Sequence, residues 1–432
     1  MRVAVVGAGW AGCVAALELS TRGHQVVLLE ASRQIGGRAR RLDLEHAGKS
    51  LSVDNGQHIL IGAYAETLRI MRRLGLDPEQ LLMRLPLTLR FADGRGLSLP
   101  SQRRLPAAVA VTAGILGAQG WTLPEKLALL RWALRWQMRG FECDSDLSVE
   151  DLCRSLPQVL VDELIDPLCV SALNTPIGRA SGSVFLRVLH DALLSSNSGS
   201  DLLLPRCDLS ALLPDAAVQK LHEQGQSVAL GARVLTLQRT ASGWRLEVQL
   251  EGHRKMEETD AVVLACPSGE ASRLVCALPQ AQAWRQQAQA LQHEAIATIY
   301  AYSTQARLQR PMMALRSGDG ALAQFVFDRG QLGGPPGLLA FVVSASASDR
   351  HTLEHSVLTQ AERELGLSLQ IVQTVIERRA TFACTPGLQR PGQHIALPPD
   401  RLLACGDYIA GPYPATLEGA VRSGLQAAAL LS

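Results

Sequence analysis

Apolar residues in this chain fall into short unbroken blocks separated by stretches with helical spacing. Arg2-Val3-Ala4-Val5-Val6 is apolar and β-rich, which predicts a short strand. A helical stretch closing at Gly23 follows, and then a second strand, Gln25-Val26-Val27-Leu28-Leu29, ending on Glu30. Later, Leu209 to Gln224 predicts a helix, Ser227 to Leu237 an extended segment, and Trp244 to Leu250 alternates apolar with polar. The runs Asp260-Ala261-Val262-Val263-Leu264-Ala265 and Leu402-Leu403-Ala404-Cys405 predict further buried strands, and a helix from about Ala415 to Leu431 closes the chain. Elsewhere, Pro124-Glu125-Lys126 opens a helix over Leu127 to Met138. Asn174-Thr175-Pro176 is a turn ending one helix, and Val184 to Leu193 suits another.

Three of these segments, residues 1–80, 202–278 and 401–432, read as parts of one nucleotide-binding domain. Two insertions, 81–201 and 279–400, one mostly helical and one mixed, would form a discontinuous second domain roofing it. The implied class is α/β, Rossmann-like, with an α+β substrate domain.

The turn after the first strand gives that domain its chemistry. Gly7-Ala8-Gly9-Trp10-Ala11-Gly12 opens the first helix, and Glu30 stands 18 residues past the last glycine. Gly7 permits the tight turn, Gly9 lets backbone approach a pyrophosphate, and Gly12 lets helix and strand pack closely. Glu30 suits a ribose 2′-hydroxyl and argues against a 2′-phosphate. Beyond it, Ile35-Gly36-Gly37-Arg38 either brings the chain near the cofactor with Arg38 on a phosphate, or is a glycine turn with a surface arginine. Val53-Asp54-Asn55-Gly56-Gln57-His58-Ile59-Leu60 packs polar residues between apolar ones, as a site or as a satisfied structural network.

Gly406-Asp407 follows a buried strand, where open α/β sheets bind ligands, and Asp407 suits ribityl hydroxyls. Pro412 and Pro414 punctuate the turn into the last helix, and Gly419, Ser423 and Gly424 keep one side of it small. The N-terminus of that helix would direct positive charge at a flavin pyrimidine ring. A nicotinamide enzyme has no need of this feature, so the C-terminal end favours flavin.

Bulk properties narrow the class. The 432 residues carry a net charge of +2, so no nucleic-acid-binding field is implied. Basic residues cluster at Arg38-Ala39-Arg40-Arg41, at Arg103-Arg104 and from Arg131 to Arg139, mostly as solvated faces. Nine dispersed cysteines, without a CxxC pair or zinc spacing, predict free thiols, no metal site and a reducing compartment. No signal peptide precedes the first strand, and a cytoplasmic chain is expected. Leu105 to Pro124 lacks charge, yet its glycines and alanines make a poor membrane span. The helix that follows has Leu127, Leu130, Leu134 and Met138 at helical spacing beside Arg131, Arg135 and Arg139, with Trp132 and Trp136 at its margins. It is either an interfacial helix or a core helix with snorkelling arginines. Met312 and Met313 read as core.

The three cofactor blocks together resemble the flavoprotein superfamily of monoamine oxidases and phytoene desaturases. More narrowly, Asp54-Asn55-Gly56-Gln57-His58, Pro167 to Pro176, Gly406-Asp407-Tyr408 and Ala415 to Gly424 resemble the hydroxysqualene dehydroxylase family of bacterial hopanoid synthesis. The resemblance runs from end to end. It implies noncovalent FAD and a reaction replacing the hydroxyl of hydroxysqualene by hydrogen, giving squalene. It places the FAD contacts at Gly7, Gly9, Ala11, Gly12, Glu30, Arg38, His58, Val234, Gly406, Asp407 and Leu417. The acid that protonates the leaving hydroxyl is sought among His58, Tyr408 and Tyr413, with Asp54 as an orienting partner. A substrate this apolar implies peripheral contact with lipid at the inner membrane face; the electron donor stays open. Two alternatives also stay open: an oxidative enzyme acting on a carotenoid precursor or an amine, and a prenyl-lipid carrier without turnover. The carrier would have no need of Glu30 or of Gly406-Asp407, and this chain retains both.

Overall fold

A computed structural model describes residues 1–46, 48–100, 106–193, 198–318, 320–395 and 401–431. Arg103, Arg104 and Leu105, which the charge pattern singled out, lie outside the described residues.

A parallel five-stranded sheet organises the nucleotide side. Its order is Ser227–Leu230, Gln25–Glu30, Arg2–Val6, Ala261–Leu264 and Leu402–Ala404, so distant parts of the chain meet side by side. Alternate residues serve opposite faces. Val3, Val5, Val26 and Leu28 pack under the helices Trp10–Thr21, Pro214–Glu223 and Leu417–Leu430. Ala4, Val6, Val27 and Leu29 pack with Leu237, Trp244, Leu246 and Val248 of a three-stranded antiparallel sheet. Burial on both faces explains why the central strands are unbroken apolar runs.

The helix Trp10–Thr21 is buried nearly all round, and the terminal helix crosses it closely at Gly424. A Cβ there would meet the Ala11 carbonyl oxygen at 2.4 Å. That crossing draws the two ends of the chain together beside the glycine turn.

Two expected elements divide. The segment 209–224 forms two helices, Leu209–Leu212 and Pro214–Glu223, because Pro214 cannot continue the first and restricts Leu213 before it. Ser227 to Leu237 breaks at Gly231, at φ +69°, leaving an edge strand of the parallel sheet and Arg233–Arg239 of the antiparallel one. The helix expected from Leu127 starts at Leu123, its end closed by the Glu125 carboxylate accepting from the Thr122 N–H at 2.6 Å.

A second sheet, wholly antiparallel, orders Met312–Ala314, Phe325–Asp328, Leu338–Ser344, His293–Tyr302 and Gln370–Phe382. Met313 is buried within it and Met312 packs against the core. Helices Ala107–Gly117, Leu123–Met138 and Gly182–Leu193 and the π-turn Val161–Ile165 each contribute to the wall of the cavity described below. Among the described residues no helix is long and apolar enough to cross a membrane.

Candidate active site

One cavity of about 1040 Å³ begins at the C-terminal edge of the parallel sheet and extends beneath these helices. At the sheet edge it is lined by the ends of the strands and the turns after them: Gly7, Glu30, Cys266 and Gly406. This is where open α/β sheets collect ligands.

Gly7 holds φ +112°, and a Cβ on it would meet the Ala265 carbonyl oxygen at 2.7 Å. Gly12 lies behind the cavity wall, where its Cβ would fall 1.9 Å from the Gly7 carbonyl oxygen. Both glycines are required by the protein's own backbone. Gly9 differs: a Cβ would meet no protein atom nearer than 3.9 Å, so the space it keeps open belongs to the cavity. Gly9 is also the N-cap of Trp10–Thr21, with no side-chain cap and no acid in the first turn. The N–H groups of that turn are therefore available to an anion. Glu30 is held by the N–H groups of Ala8 (2.7 Å) and Ser32 (2.8 Å), one on each oxygen, with lone pairs left for ribose hydroxyls. These features fit a dinucleotide.

At the other end, Thr416 caps the terminal helix, its hydroxyl accepting from the Gly419 N–H at 3.0 Å. Thr416, Leu417 and Ala420 line the cavity, so the positive end of the helix faces it. Arg38 and Asp407 also line it, and they pair with each other: Arg38 Nη2 donates to Asp407 Oδ1 at 2.5 Å and Nη1 to the Ala380 carbonyl at 2.7 Å. The neighbouring carboxylate pushes the guanidinium pKa further up, so this residue stays a cation. Val234 lines the cavity with its carbonyl held by Arg273 Nη2 at 2.8 Å, and Ala11 lines it too.

The acid–base candidates separate by environment. His58 lines the cavity, with Nδ1 2.7 Å from the Gly56 carbonyl oxygen. Burial, with repulsion from Arg38, holds its pKa below the usual imidazole value. A neutral ring must then donate through Nδ1, which leaves Nε2 an acceptor. Of the three residues among which the acid was sought, His58 is thus placed as an acceptor. Asp54 does not orient it. Asp54 lies outside the cavity wall, accepting from the Leu209 N–H at 2.8 Å, next to a Tyr300 hydroxyl that donates to the Asp54 carbonyl at 2.8 Å. The polar block around residue 54 thus divides into a cavity-facing part and a structural one. Tyr408 packs against Gly406, and burial pushes its phenol well up, with Cys266, Cys405 and Asp407 adding to the effect. Its hydroxyl is buried without a partner among the described residues, at the sheet edge of the cavity.

Asp54 carries a pH signature. Burial raises its carboxyl to about 7, against the opposing pull of the Leu209 N–H and Arg329. The unfolded chain releases that proton near pH ~4, so stability is lost as pH rises through the folded value. Asp54→Asn is expected to flatten the fall in thermal stability between pH 5 and 8, an effect of up to roughly 2.5 kcal/mol. Parallel melting-temperature profiles for variant and wild type would show that the carboxylate is ionised and compensated in the native state.

Several cavity residues gave no signal in the sequence: Tyr64, whose hydroxyl engages Thr416, and Asp191 and His293. Tyr413 lines the cavity beside Asp191. Asn174 lines it as well, but its amide is used structurally. It ends a helix at φ +46°, donates to Thr381 Oγ1 at 2.9 Å and accepts from the Ala345 N–H at 2.7 Å. All nine cysteines are free. Cys405 is fully buried with its thiol pKa pushed up by burial, and it does not line the cavity.

A fold of this kind around such a cradle defines a flavin-dependent oxidoreductase. The chain belongs to the flavin containing amine oxidoreductase family, whose model matches residues 10–432, and FAD is its cofactor. Over nearly its whole length it is similar to hydroxysqualene dehydroxylase of Rhodopseudomonas palustris, at 28% identity over 99% of this chain and 98% of the relative. The same enzyme of Sinorhizobium fredii is 27% identical over 99% and 97%. A putative protoporphyrinogen oxidase from Exiguobacterium shares the fold, with a TM-score of 0.69 at 17% identity over 100% of this chain and 98% of its own.

Proposed function

We propose that this enzyme reductively removes the hydroxyl of hydroxysqualene, giving squalene. The observation that carries the reading is the continuity of the nucleotide cradle with an apolar chamber. Ile115, Leu129, Trp132, Leu164, Phe185 and Phe327, from five separate elements and both halves of the roof, line the same cavity as Gly9 and Glu30. A compact amine has no use for so long an apolar wall, whereas a triterpenoid chain fills one. The full-length similarity to two hydroxysqualene dehydroxylases supports the same substrate.

FAD, when bound and reduced, supplies the hydride equivalent. The chain's tasks are to hold the allylic carbon in place, exclude water from the cation formed there, and provide a proton for the departing oxygen. His58, a neutral acceptor, suits positioning of the hydroxyl rather than its protonation. The test is anaerobic mixing of photoreduced protein with hydroxysqualene, followed by product analysis. Flavin reoxidation with stoichiometric squalene is expected, and no reoxidation would sink the reading.

The same reading extends to lipid contact. A thirty-carbon chain in water carries a hydrophobic penalty on the order of 20 kcal/mol, so capture should occur directly from a bilayer. Helices Ala107–Gly117 and Leu123–Met138 turn Ile115, Leu129 and Trp132 inward to the cavity. Their outer faces expose Val109 (50%), Leu116 (48%), Leu134 (54%) and Met138 (74%). Arg131, Arg135 and Arg139 are exposed on the same helix, a combination suited to an anionic lipid surface. Trp132 and Trp136, expected at the margins, are instead buried, Trp132 donating to the Leu152 carbonyl at 2.8 Å. Leu134→Asp combined with Met138→Glu is expected to lower binding to anionic vesicles at least roughly tenfold. Turnover of detergent-dispersed substrate should persist, and an unchanged vesicle affinity would refute this docking face.

A further inference from the structure

Next to the N-terminus of the terminal helix, the cavity wall carries a set of linked polar groups. Asp191, on the helix Gly182–Leu193, lines the cavity, and so does Tyr413 from the turn before the terminal helix. Asp191 Oδ1 accepts from His190 Nδ1 at 2.9 Å and Oδ2 from Arg187 Nε at 2.9 Å. The carboxylate also engages the Tyr413 hydroxyl, whose pKa is raised by burial, opposed by Arg422, and raised further by Asp191. Exposure is graded along the set: the His190 side chain is 44% exposed and that of Asp191 14%. His190 packs edge-on against Phe141, at 5.6 Å between ring centroids. The wall therefore holds a hydrogen-bonding path from solvent to the chamber.

We propose that His190, Asp191 and Tyr413 form a proton relay, with Tyr413 as the donor to the substrate oxygen and the other two returning its proton. This rests on the dehydroxylation reading. The other candidates are engaged elsewhere or lie on the wrong side. His58 is an acceptor, Tyr64 engages Thr416, and Tyr408 packs against Gly406 at the sheet edge.

The atoms balance as follows. The Tyr413 O–H bond breaks as its proton moves to the hydroxyl oxygen of the substrate. The C–O electron pair departs with that oxygen as water, and the carbon is refilled by the hydride that reduced flavin supplies. The phenolate recovers a proton through Asp191 from His190, which takes one from solvent in its turn. Arg422 provides counter-charge for the transient phenolate: its guanidinium carbon lies 5.2 Å from the Tyr413 ring centroid, and its Nε donates to Glu418 at 2.7 Å. The charged or titratable groups facing the relay are Arg187 on its own helix, Arg422 and Glu418 from the terminal helix, and Tyr64 beside Tyr413.

The experiment compares wild type, Tyr413→Phe and His190→Gln, each photoreduced and mixed anaerobically with hydroxysqualene across a range of pH. Tyr413→Phe is expected to slow flavin reoxidation roughly 100-fold. His190→Gln, at a partly exposed position, should slow it roughly tenfold and alter its dependence on pH. Added imidazole should restore the His190→Gln rate, while FAD affinity and the oxidised spectrum stay as in wild type. A wild-type rate and pH profile in either variant overturns the relay and leaves dehydroxylation standing. Failure of the reduced wild type to react overturns both.

Discussion

Gly12→Val is expected to yield a colourless protein that does not take up FAD, because the substitution breaks the cradle from behind. Even the first carbon of the new side chain would sit 1.9 Å from the Gly7 carbonyl oxygen and 3.0 Å from the Ala265 side chain. Backbone cannot yield there without lifting the helix Trp10–Thr21 off the strand Arg2–Val6, and the phosphate-facing N–H groups would move with it. Gly9→Ala is the control that isolates the ligand's share. Its Cβ meets no protein atom within 3.9 Å, so the variant should fold and melt like wild type while binding FAD weakly. Visible absorbance after incubation with excess FAD, read with a thermal melt, separates the two. A yellow Gly12→Val protein would show that the turn is not the cofactor's seat.

The second large effect is expected at Glu418, which is 1% exposed. Its carboxylate accepts from the Glu66 and Thr67 N–H groups at 3.1 and 2.9 Å, from the Thr67 hydroxyl at 2.7 Å, and from Arg422 Nε at 2.7 Å. One buried acid in the first turn of the terminal helix thus closes the N-terminus of the helix Ala65–Arg73. Glu418→Ala leaves two helix N–H groups, a hydroxyl and a guanidinium without that acceptor, at a cost of about 3–5 kcal/mol. Glu418→Gln keeps oxygen for some of these donors but loses the charge opposite Arg422, so it should fall between alanine and wild type. Denaturant midpoints measure both. Because Thr416 and Leu417 precede this residue at the cavity, FAD affinity should fall in step with stability. Wild-type midpoints for Glu418→Ala would show that water replaces the carboxylate without loss.

The cofactor half of the site was legible because its requirements are local. A turn that needs glycine at positions 7 and 12, a free helix N-terminus and an acid at the end of the next strand lie within thirty residues, and backbone geometry fixes them almost without reference to the rest. Gly406-Asp407 was legible for the same reason, as a strand end followed by a helix start. The pairing of Arg38 with Asp407 was not, since nothing in either segment indicates the other. The block around His58 was recognised as dense in polar groups, yet the sequence could not say that Asp54 satisfies Leu209 while His58 faces the chamber. Both are polar residues between apolar neighbours; only their partners differ.

The helix Leu123–Met138 shows the same boundary most clearly. Its periodicity was plain in Leu127, Leu130, Leu134 and Met138, yet Leu130 packs on the core while Leu129, Trp132 and Trp136 form a second apolar set. The structure buries that second set and exposes Leu127, Leu134 and Met138. Period fixes the angular spacing of side chains, whereas the choice of inward face depends on what surface arrives opposite. The amino-acid sequence alone thus determined an α/β flavoprotein, the location of its glycine turn and the order of its strands along the chain. Tertiary structure alone decided which polar groups share the chamber, which acids are structural and which apolar stripe meets solvent. Local backbone sterics act over a few residues and leave their mark on adjacent positions, while desolvation and pairing depend on neighbours that only folding brings together.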